Sequence, residues 1–199
     1  MSEIAKVIDA VITGGLAPAA KAAGFTKGGR NFWRTDGDAV LVTNVQASRS
    51  NDANLGTFTI NLGVWFPAVG ARADLPVPDP KRPSEPSCPI RTRLGAVMPG
   101  GADRWWTVTA TTNVADVARE VATAWQTFGL AWLEANRDLG IVADRLAAAG
   151  PSFLAIQFRV AQGRLDDARQ LLARLQNDAS VFPGHRDHVT AWAVKHGLA

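Results

Sequence analysis

The stretch TFTINLGVWF, residues 57–66, constrains the fold most strongly, because apolar and polar side chains alternate along it. Successive side chains of a β-strand point to opposite faces, so one face of this stretch is apolar and the other carries Thr59, Asn61 and Trp65. The apolar side chains are Phe58, Ile60, Leu62, Val64 and Phe66. The alternation predicts a strand that buries one face in a core and leaves a more polar face open.

A β-hairpin is predicted just before this strand, because Asp36-Gly37 separates two strand-like runs, residues 28–35 and 38–48. Asp-Gly favours a two-residue hairpin turn, since both residues accept positive φ angles. With this turn, residues whose numbers add up to 73 would pair, so that Phe32 would lie opposite Leu41.

The two faces of the hairpin differ in chemistry, and only one of them can join the core. One face carries Phe32 between Arg30 and Arg34, and the other carries Asn31, Trp33, Asn44 and Gln46. We expect Phe32 inside, because its face has more apolar bulk and the two arginines can extend to solvent. The open face would then be uncharged and aromatic, which suits a neutral ligand or a protein partner.

The opposite orientation of the hairpin predicts a different function. If Trp33 is buried instead, Arg30, Phe32 and Arg34 lie outside, where they suit base stacking and phosphate contact in nucleic-acid binding. Both orientations remain open from the sequence.

The chain between the third and fourth predicted strands is rich in proline: residues 68–89 hold six of the eleven prolines. This density predicts a long exposed loop. Two further strands follow, in CPIRTRLGAV and RWWTVTATT. The first places Arg91 and Arg93 on one face. Two guanidinium groups there, with Asn44 and Arg49 as further candidates, would suit an anionic substrate, but a solvated edge strand protected by charge is the favoured explanation.

Helical periodicity dominates both ends of the chain. Residues 2–23 predict two short helices, because Gly14-Gly15 and Pro18 interrupt the apolar stripe. A long helix is predicted over 113–137, with Trp125 and Trp132 in the core beside Phe58, Ile60 and Leu62. Shorter helices follow, and FLAIQFRVAQGRLDDARQLLARL is typical of one tetratricopeptide-like helical hairpin. Because one such unit is not stable alone, we expect it to dock on the main domain.

These elements predict an α+β protein. An antiparallel sheet of about five strands is covered on one face by helices, and a C-terminal all-helical extension follows. The predicted domains are residues 1–140 for the α+β domain and 141–199 for the extension.

Composition narrows the function classes. The net charge is only +3, and the whole surplus lies before residue 112, with 12 Lys and Arg against 9 Asp and Glu. A dedicated DNA-binding protein usually shows a stronger basic stripe. A single cysteine, Cys88, excludes an intrachain disulfide, and no stretch is long and apolar enough to span a membrane or act as a signal peptide. We therefore expect a cytoplasmic protein.

Known catalytic and metal-binding patterns are absent from the sequence. The three histidines, His185, His188 and His196, share one helical face, but His188 and His196 would lie about 12 Å apart along the axis, too far for one ion. No cofactor-binding motif occurs, and Cys88 has no histidine near it in sequence. We predict no catalytic residues, no metal and no cofactor.

Several short motifs occur in an order that resembles a known family. They are Gly24-Phe25 with Lys27, GRNF at 29–32, VTNVQASR at 42–49, FTINLGVWF at 58–66, CPIRTRLG at 88–95 and Trp105-Trp106. Together they are similar to the bacterial domain-of-unknown-function family 4304 over about residues 2–140. This chain departs from the pattern with Trp33 and Trp65 at positions where the family suggests tyrosine. The resemblance implies a cytoplasmic α+β protein of bacterial type and implies no activity.

The function we predict is a non-enzymatic protein-binding module that uses an open sheet face, with toxin-neutralising immunity proteins as one type. The alternatives are nucleic-acid binding through the basic-aromatic hairpin and an uncharacterised enzyme with an arginine-lined pocket. The candidate binding residues are Trp33, Asn44, Gln46, Asn61, Trp65, Arg30, Arg49, Arg91 and Arg93.

Overall fold

A computed structural model describes residues 2–72 and 79–198 of the chain. The chain divides into two compact units, each built from two segments. The first unit comprises Met1–Trp65 and Asp79–Arg137, and the second comprises Phe66–Pro78 and Asp138–Ala199. The segment after Trp65 therefore belongs with the C-terminal helices, although it interrupts the sheet in sequence. Docking of the helical extension on the first domain stays a prediction.

Within the described residues, six antiparallel strands form one sheet in the first unit. Its order is β1-β2-β3-β4-β5, with β6 also paired to β4. The strands are β1 (Thr26–Gly28), β2 (Asn31–Asp36), β3 (Ala39–Ala47), β4 (Leu55–Trp65), β5 (Ile90–Arg93) and β6 (Trp106–Thr109). The predicted α+β class with an antiparallel sheet is confirmed. A single strand over 28–35 was wrong, because Gly29, at φ +59°, starts a tight turn that separates β1 from β2.

The hairpin turn between β2 and β3 lies one residue later than predicted. Asp36 pairs with Ala39, so Gly37 and Asp38 are the turn residues, and Gly37 has φ +56°. Phe32 consequently pairs with Thr43 instead of Leu41. The pairing shifts by two residues, and because the side-chain period of a strand is two, every side chain keeps its predicted face.

Ten α-helices and two π-helical segments accompany the sheet in the part of the chain that the structure describes. They are α1 (Glu3–Val11), π1 (Ile12–Leu16), α2 (Ala17–Ala22), α3 (Pro67–Gly70), α4 (Leu94–Val97), α5 (Val114–Ala124), π2 (Trp125–Gly129), α6 (Leu130–Ala135), α7 (Leu139–Ala149), α8 (Phe153–Ala161), α9 (Leu165–Asn177) and α10 (Pro183–Lys195). None of the described helices is both long and apolar enough to cross a membrane.

The core of the first unit lies between the helices and the Phe32 face of the sheet. Phe32 is 1% exposed, and Phe58, Ile60 and Leu62 of β4 are fully buried. The indole Nε1 of Trp125 donates a hydrogen bond of 3.0 Å to the hydroxyl of Thr43 on β3. The predicted burial of Phe32 and of Trp125 is therefore what the structure shows.

Trp132 differs from the prediction, because it is only half-buried, whereas Leu133 is fully buried. Counted from Trp125, a regular helix would return to the core at residue 132. The π-turn π2 holds one additional residue, which moves the inward position to 133.

The N-terminal helix is continuous, so its predicted break at Gly14-Gly15 is wrong. Ser2 caps α1 by accepting a hydrogen bond from the backbone N–H of Ala5, and π1 joins α1 directly to α2. Pro18 lies in the first turn of α2, where a missing N–H is tolerated. Gly15 lets α5 approach closely, since a Cβ there would lie 2.1 Å from the carbonyl oxygen of Ala118.

The second unit has its own hydrophobic core. The predicted helical hairpin is present as α8 and α9, and its buried side chains include Ile156, Leu171 and Leu172. The segment after β4 takes part in this unit. Phe66 packs edge-on against Phe158, with ring centroids 5.2 Å apart, and Trp192 Nε1 donates a 2.9 Å hydrogen bond to the carbonyl of Arg72.

The prediction of one long exposed loop over 68–89 is wrong in part, because several of its described residues are buried although others are exposed. Val69 of α3 is buried in the second unit, and Pro83, Glu85 and Cys88 are buried in the first. A 3-10 helix, Glu85–Ser87, lies in this segment. Pro76 and Pro78 lie outside the described residues. Proline lacks the backbone N–H that strand pairing needs, but it does not prevent the chain from packing against the protein.

Candidate functional site

The pairing of β2 to β5 arranges side chains in rows on the polar face, which is the sheet face opposite the helices. One row is formed by Asn31, Asn44, Asn61 and Arg93, which are successive partners across the four strands. The adjacent row is formed by Trp33, Val42, Gly63 and Arg91. Paired residues of antiparallel strands share a face, so the pairing brings Trp33, Asn44, Asn61, Arg91 and Arg93 together.

Hydrogen bonds join the amide side chains of this face into one network, which we call the amide row (Asn31, Asn44, Asn61 and Gln46). Asn44 Nδ2 donates to Asn31 Oδ1 at 2.8 Å. Asn61 Nδ2 donates to Asn44 Oδ1 at 3.2 Å and to Gln46 Oε1 at 2.9 Å. Because each amide is held by its neighbour, the row presents fixed, uncharged donors and acceptors.

The covering segment, residues 83–88, closes the other half of the polar face. Trp33 Nε1 donates a 2.9 Å hydrogen bond to the carbonyl of Pro83, and the guanidinium of Arg82 lies 5.7 Å from the Trp33 ring centroid. The segment also packs directly against Gly63, where a Cβ would lie 2.7 Å from the sulfur of Cys88. Glycine within β4 therefore makes room for this segment.

The expected open sheet face is therefore only partly open. Trp65 is 4% exposed and Asn61 is 6% exposed, so neither can serve as an exposed contact residue. Trp33 is half-buried, and its indole N–H is already used. Asn44 is half-buried and Gln46 is exposed. We call Asn31, Asn44, Gln46, Arg93 and Trp105, which are all at least partly accessible, the open strip.

Glu85 of the covering segment is a buried carboxylate, 3% exposed, beside the exposed guanidinium of Arg91. Its Oε1 lies 2.9 Å from Arg91 Nε. Burial raises the pKa of Glu85 above its usual range, and the charges of Arg91 and Arg93 offset this effect only in part. The exposed guanidinium of Arg91 is therefore already paired with a carboxylate of the protein and is not a free anion-binding group.

Arg93 also has an acidic partner. It forms an ion pair with Asp103, and its guanidinium lies 5.4 Å from the ring centroid of Trp105. Trp105 Nε1 donates to the same carboxylate at 3.0 Å. A substrate anion would have to displace acids from both Arg91 and Arg93, so the geometry does not favour the arginine-lined enzyme pocket.

Cys88 has the properties of a packing residue. It is buried, and its Sγ lies 3.6 Å from the carbonyl oxygen of Ser84. Burial, reinforced by the neighbouring charge of Glu85, raises the pKa of the Cys88 thiol far above its ordinary value. A thiol that stays protonated at neutral pH is a poor nucleophile.

The basic-aromatic surface on which nucleic-acid binding depended is not assembled. Phe32 is buried, and Arg30 pairs with Asp9 at 2.8 Å. Arg34 donates to the carbonyl of Ala23 at 3.0 Å and pairs with Asp36 and Glu134. Both arginines thus bind the helical layer. Arg49 is exposed in the turn after β3, apart from the amide row.

The histidines belong to an aromatic cluster of the second unit. The rings of His185 and His188 contact Phe153 edge-on, and His196 stacks on Trp192 with ring centroids 4.0 Å apart. Across residues 2–72 and 79–198, no group of three or more His, Cys, Asp or Glu side chains is arranged to hold a metal ion.

Two site features were missed at the level of sequence. One was the covering segment. Gly63 could have indicated it, because a glycine inside a strand often marks a bulge or the close approach of another part of the chain. The other was the contact of Trp105 with Arg93 and Asp103, which nothing in the local sequence pattern indicates.

Comparison with known proteins identifies the family. A family model described as Domain of unknown function (DUF4304) matches residues 16–135. No curated protein and no solved structure matches the chain. The matched range includes every strand of the sheet, the amide row and the covering segment. The resemblance predicted from the short motifs is confirmed, and the chain belongs to the DUF4304 family, a domain of unknown function.

Proposed function

We propose that this protein is a non-enzymatic binding module whose partner is another protein, and that the open strip is its contact surface. The amide row carries this proposal. Its side chains are fixed by mutual hydrogen bonds, so little conformational entropy is lost when a partner binds the accessible ones, Asn31, Asn44 and Gln46.

The composition of the open strip supports a protein partner. Aromatic residues and arginine are enriched at protein interfaces, and here Trp105 and Arg93 contact one another at the end of the amide row. The amides can bond the backbone of a partner, and they carry no charge that would require a counter-ion. The acids paired with Arg91 and Arg93 argue against phosphate or nucleic acid as the ligand.

The deciding experiment is affinity capture from the native host, followed by quantitative mass spectrometry. The test variant is Gln46→Arg combined with Trp105→Ala, which changes two accessible residues of the open strip. The control is Gln126→Arg, which changes another exposed glutamine, on the helical side. We expect a partner that the parent and the control retain and that the test variant loses by about tenfold or more. A partner retained equally by all three proteins, or no partner at all, contradicts the proposal.

The form of binding that we propose is neutralisation of a toxin in the cytoplasm. A buried, unpaired Cys88 is compatible with a reducing compartment. Co-expression with candidate toxins of the native host tests this form, and we expect protection by the parent that is lost in the open-strip variant. A captured partner without toxic activity would contradict the immunity role and leave protein binding intact.

A further inference from the structure

A second surface, on the helix-facing side of the sheet, has the properties of a small-molecule site. It is a groove of about 570 Å³ beside α2 and β1. The buried rings of Phe25 and Phe32 lie at its base, and Ala17 and Pro18 line its wall. Volumes of about 300–1,000 Å³ and mostly apolar linings with a few polar groups are typical of ligand pockets.

Two lysines give this groove its charge. Lys21 lies in the last turn of α2, and Lys27 pairs with Phe32 across β1 and β2, which places both residues on the same face. Both lysines are exposed, and in the described part of the chain neither forms an ion pair with a carboxylate. Among the residues that the structure describes, no acidic side chain lines the groove. Its cations are therefore uncompensated.

The neighbouring arginines differ from these two lysines, because each arginine is paired with a carboxylate. Arg30 and Arg34 follow within a few residues, and both are paired with carboxylates, Asp9 for the first and Asp36 and Glu134 for the second. The guanidinium of Arg34 also lies 5.2 Å from the Phe25 ring centroid. The positive field at the groove is thus contributed by Lys21 and Lys27.

We propose that the groove binds an amphiphilic organic anion of the fatty-acid class. Its carboxylate lies between Lys21 and Lys27, and its apolar chain lies over Phe25 and Phe32. Uncompensated cations beside an apolar floor are complementary to a ligand with one anionic and one apolar end. This site is on the opposite face of the sheet from the open strip, so it is independent of the proposed function.

Titration calorimetry with decanoate, at concentrations below micelle formation, tests the proposal. We expect saturable one-to-one binding to the full chain. Lys21→Gln with Lys27→Gln should weaken binding by about tenfold, as the loss of two partly exposed ion pairs implies. The charge-matched control is Lys6→Gln with Lys81→Gln, since neither residue lines the groove. Decanol, which has the same chain without the charge, should bind more weakly than decanoate.

A second variant separates the groove from its charges. Ala17→Phe fills the groove and should abolish decanoate binding while the far-ultraviolet circular dichroism is unchanged. Equal binding by the parent and the lysine double variant, or equal binding of decanol and decanoate, overturns the proposal. Binding to vesicles of anionic phospholipid without binding to monomeric decanoate also overturns it and would indicate a membrane surface as the ligand.

Discussion

Glu85 is the residue whose environment has the clearest consequence for pH dependence. Its pKa is raised by burial above the ordinary value of 4.5. The folded protein therefore binds this proton more tightly than the unfolded chain does. The contribution of protonated Glu85 to stability is complete below pH 4.5 and is lost as the pH rises through the raised pKa.

The first prediction concerns Glu85→Gln, whose side chain is uncharged at every pH. The free energy of unfolding of the parent, relative to that of this variant, should fall as the pH rises above 4.5 and through the raised pKa of Glu85. Urea denaturation at several pH values measures the difference. Arg91→Gln should make the fall larger, because the Arg91 charge lowers the pKa of Glu85. A difference that rises with pH would contradict the buried position of Glu85.

At the scale of elements, the crossing of π1 with α5 depends on a single glycine. A Cβ at Gly15 would lie 2.1 Å from the carbonyl oxygen of Ala118 and 2.9 Å from its Cα. These are backbone atoms, so the two helices would have to separate. At Gly14 the nearest atom to a new Cβ is Ala118 Cβ, at an ordinary 3.7 Å.

The second prediction contrasts these neighbouring glycines. Gly15→Ala should lower the free energy of unfolding by about 3 kcal/mol through overpacking. Gly14→Ala should be neutral or should stabilise by up to about 1 kcal/mol, because alanine favours helical backbone. Thermal and urea denaturation of both variants measure the contrast. Equal effects of the two substitutions would show that the helices do not cross at Gly15.

The elements also show what sequence patterns could and could not predict. Alternation assigned the faces of β2, β3 and β4 correctly, because a pairing error of two residues leaves each side chain on its face. The turn was misplaced because Asp-Gly-Asp is compatible with a turn at either pair. The packing of the covering segment on Trp33 and Gly63 could not be predicted, since a proline-rich chain has no periodicity that indicates packing. The π-turns likewise leave no periodic signal.

At the scale of the whole molecule, the second unit needs both of its segments. Phe66 is fully buried and Val69 is 4% exposed in the complete protein, and Phe66 packs on Phe158 of α8. Removing residues 138–199 would therefore leave apolar side chains of the segment after β4 without their partners.

The third prediction follows because the second unit is built from two separate segments of the chain. A chain that ends at Arg137 should bind an apolar fluorescent dye more strongly than the full chain and should aggregate at lower concentration. Replacing Phe66 with Ser in the shortened chain should reduce both effects. If the shortened chain is as soluble as the parent and binds no more dye, the segment after β4 does not depend on the C-terminal helices.

The hydrogen bond between Trp192 and Arg72 has a consequence for synthesis, because its partners are 120 residues apart in sequence. At about 5–20 residues per second, Arg72 is made on the order of 6–24 s before Trp192. For most of that interval, until α8 is made, Phe66 lacks its partner Phe158, and β5 and β6 are made during the same period. A growing chain would therefore present an apolar loop to chaperones for seconds, and the time that each molecule spends in that state is set by the rate of translation.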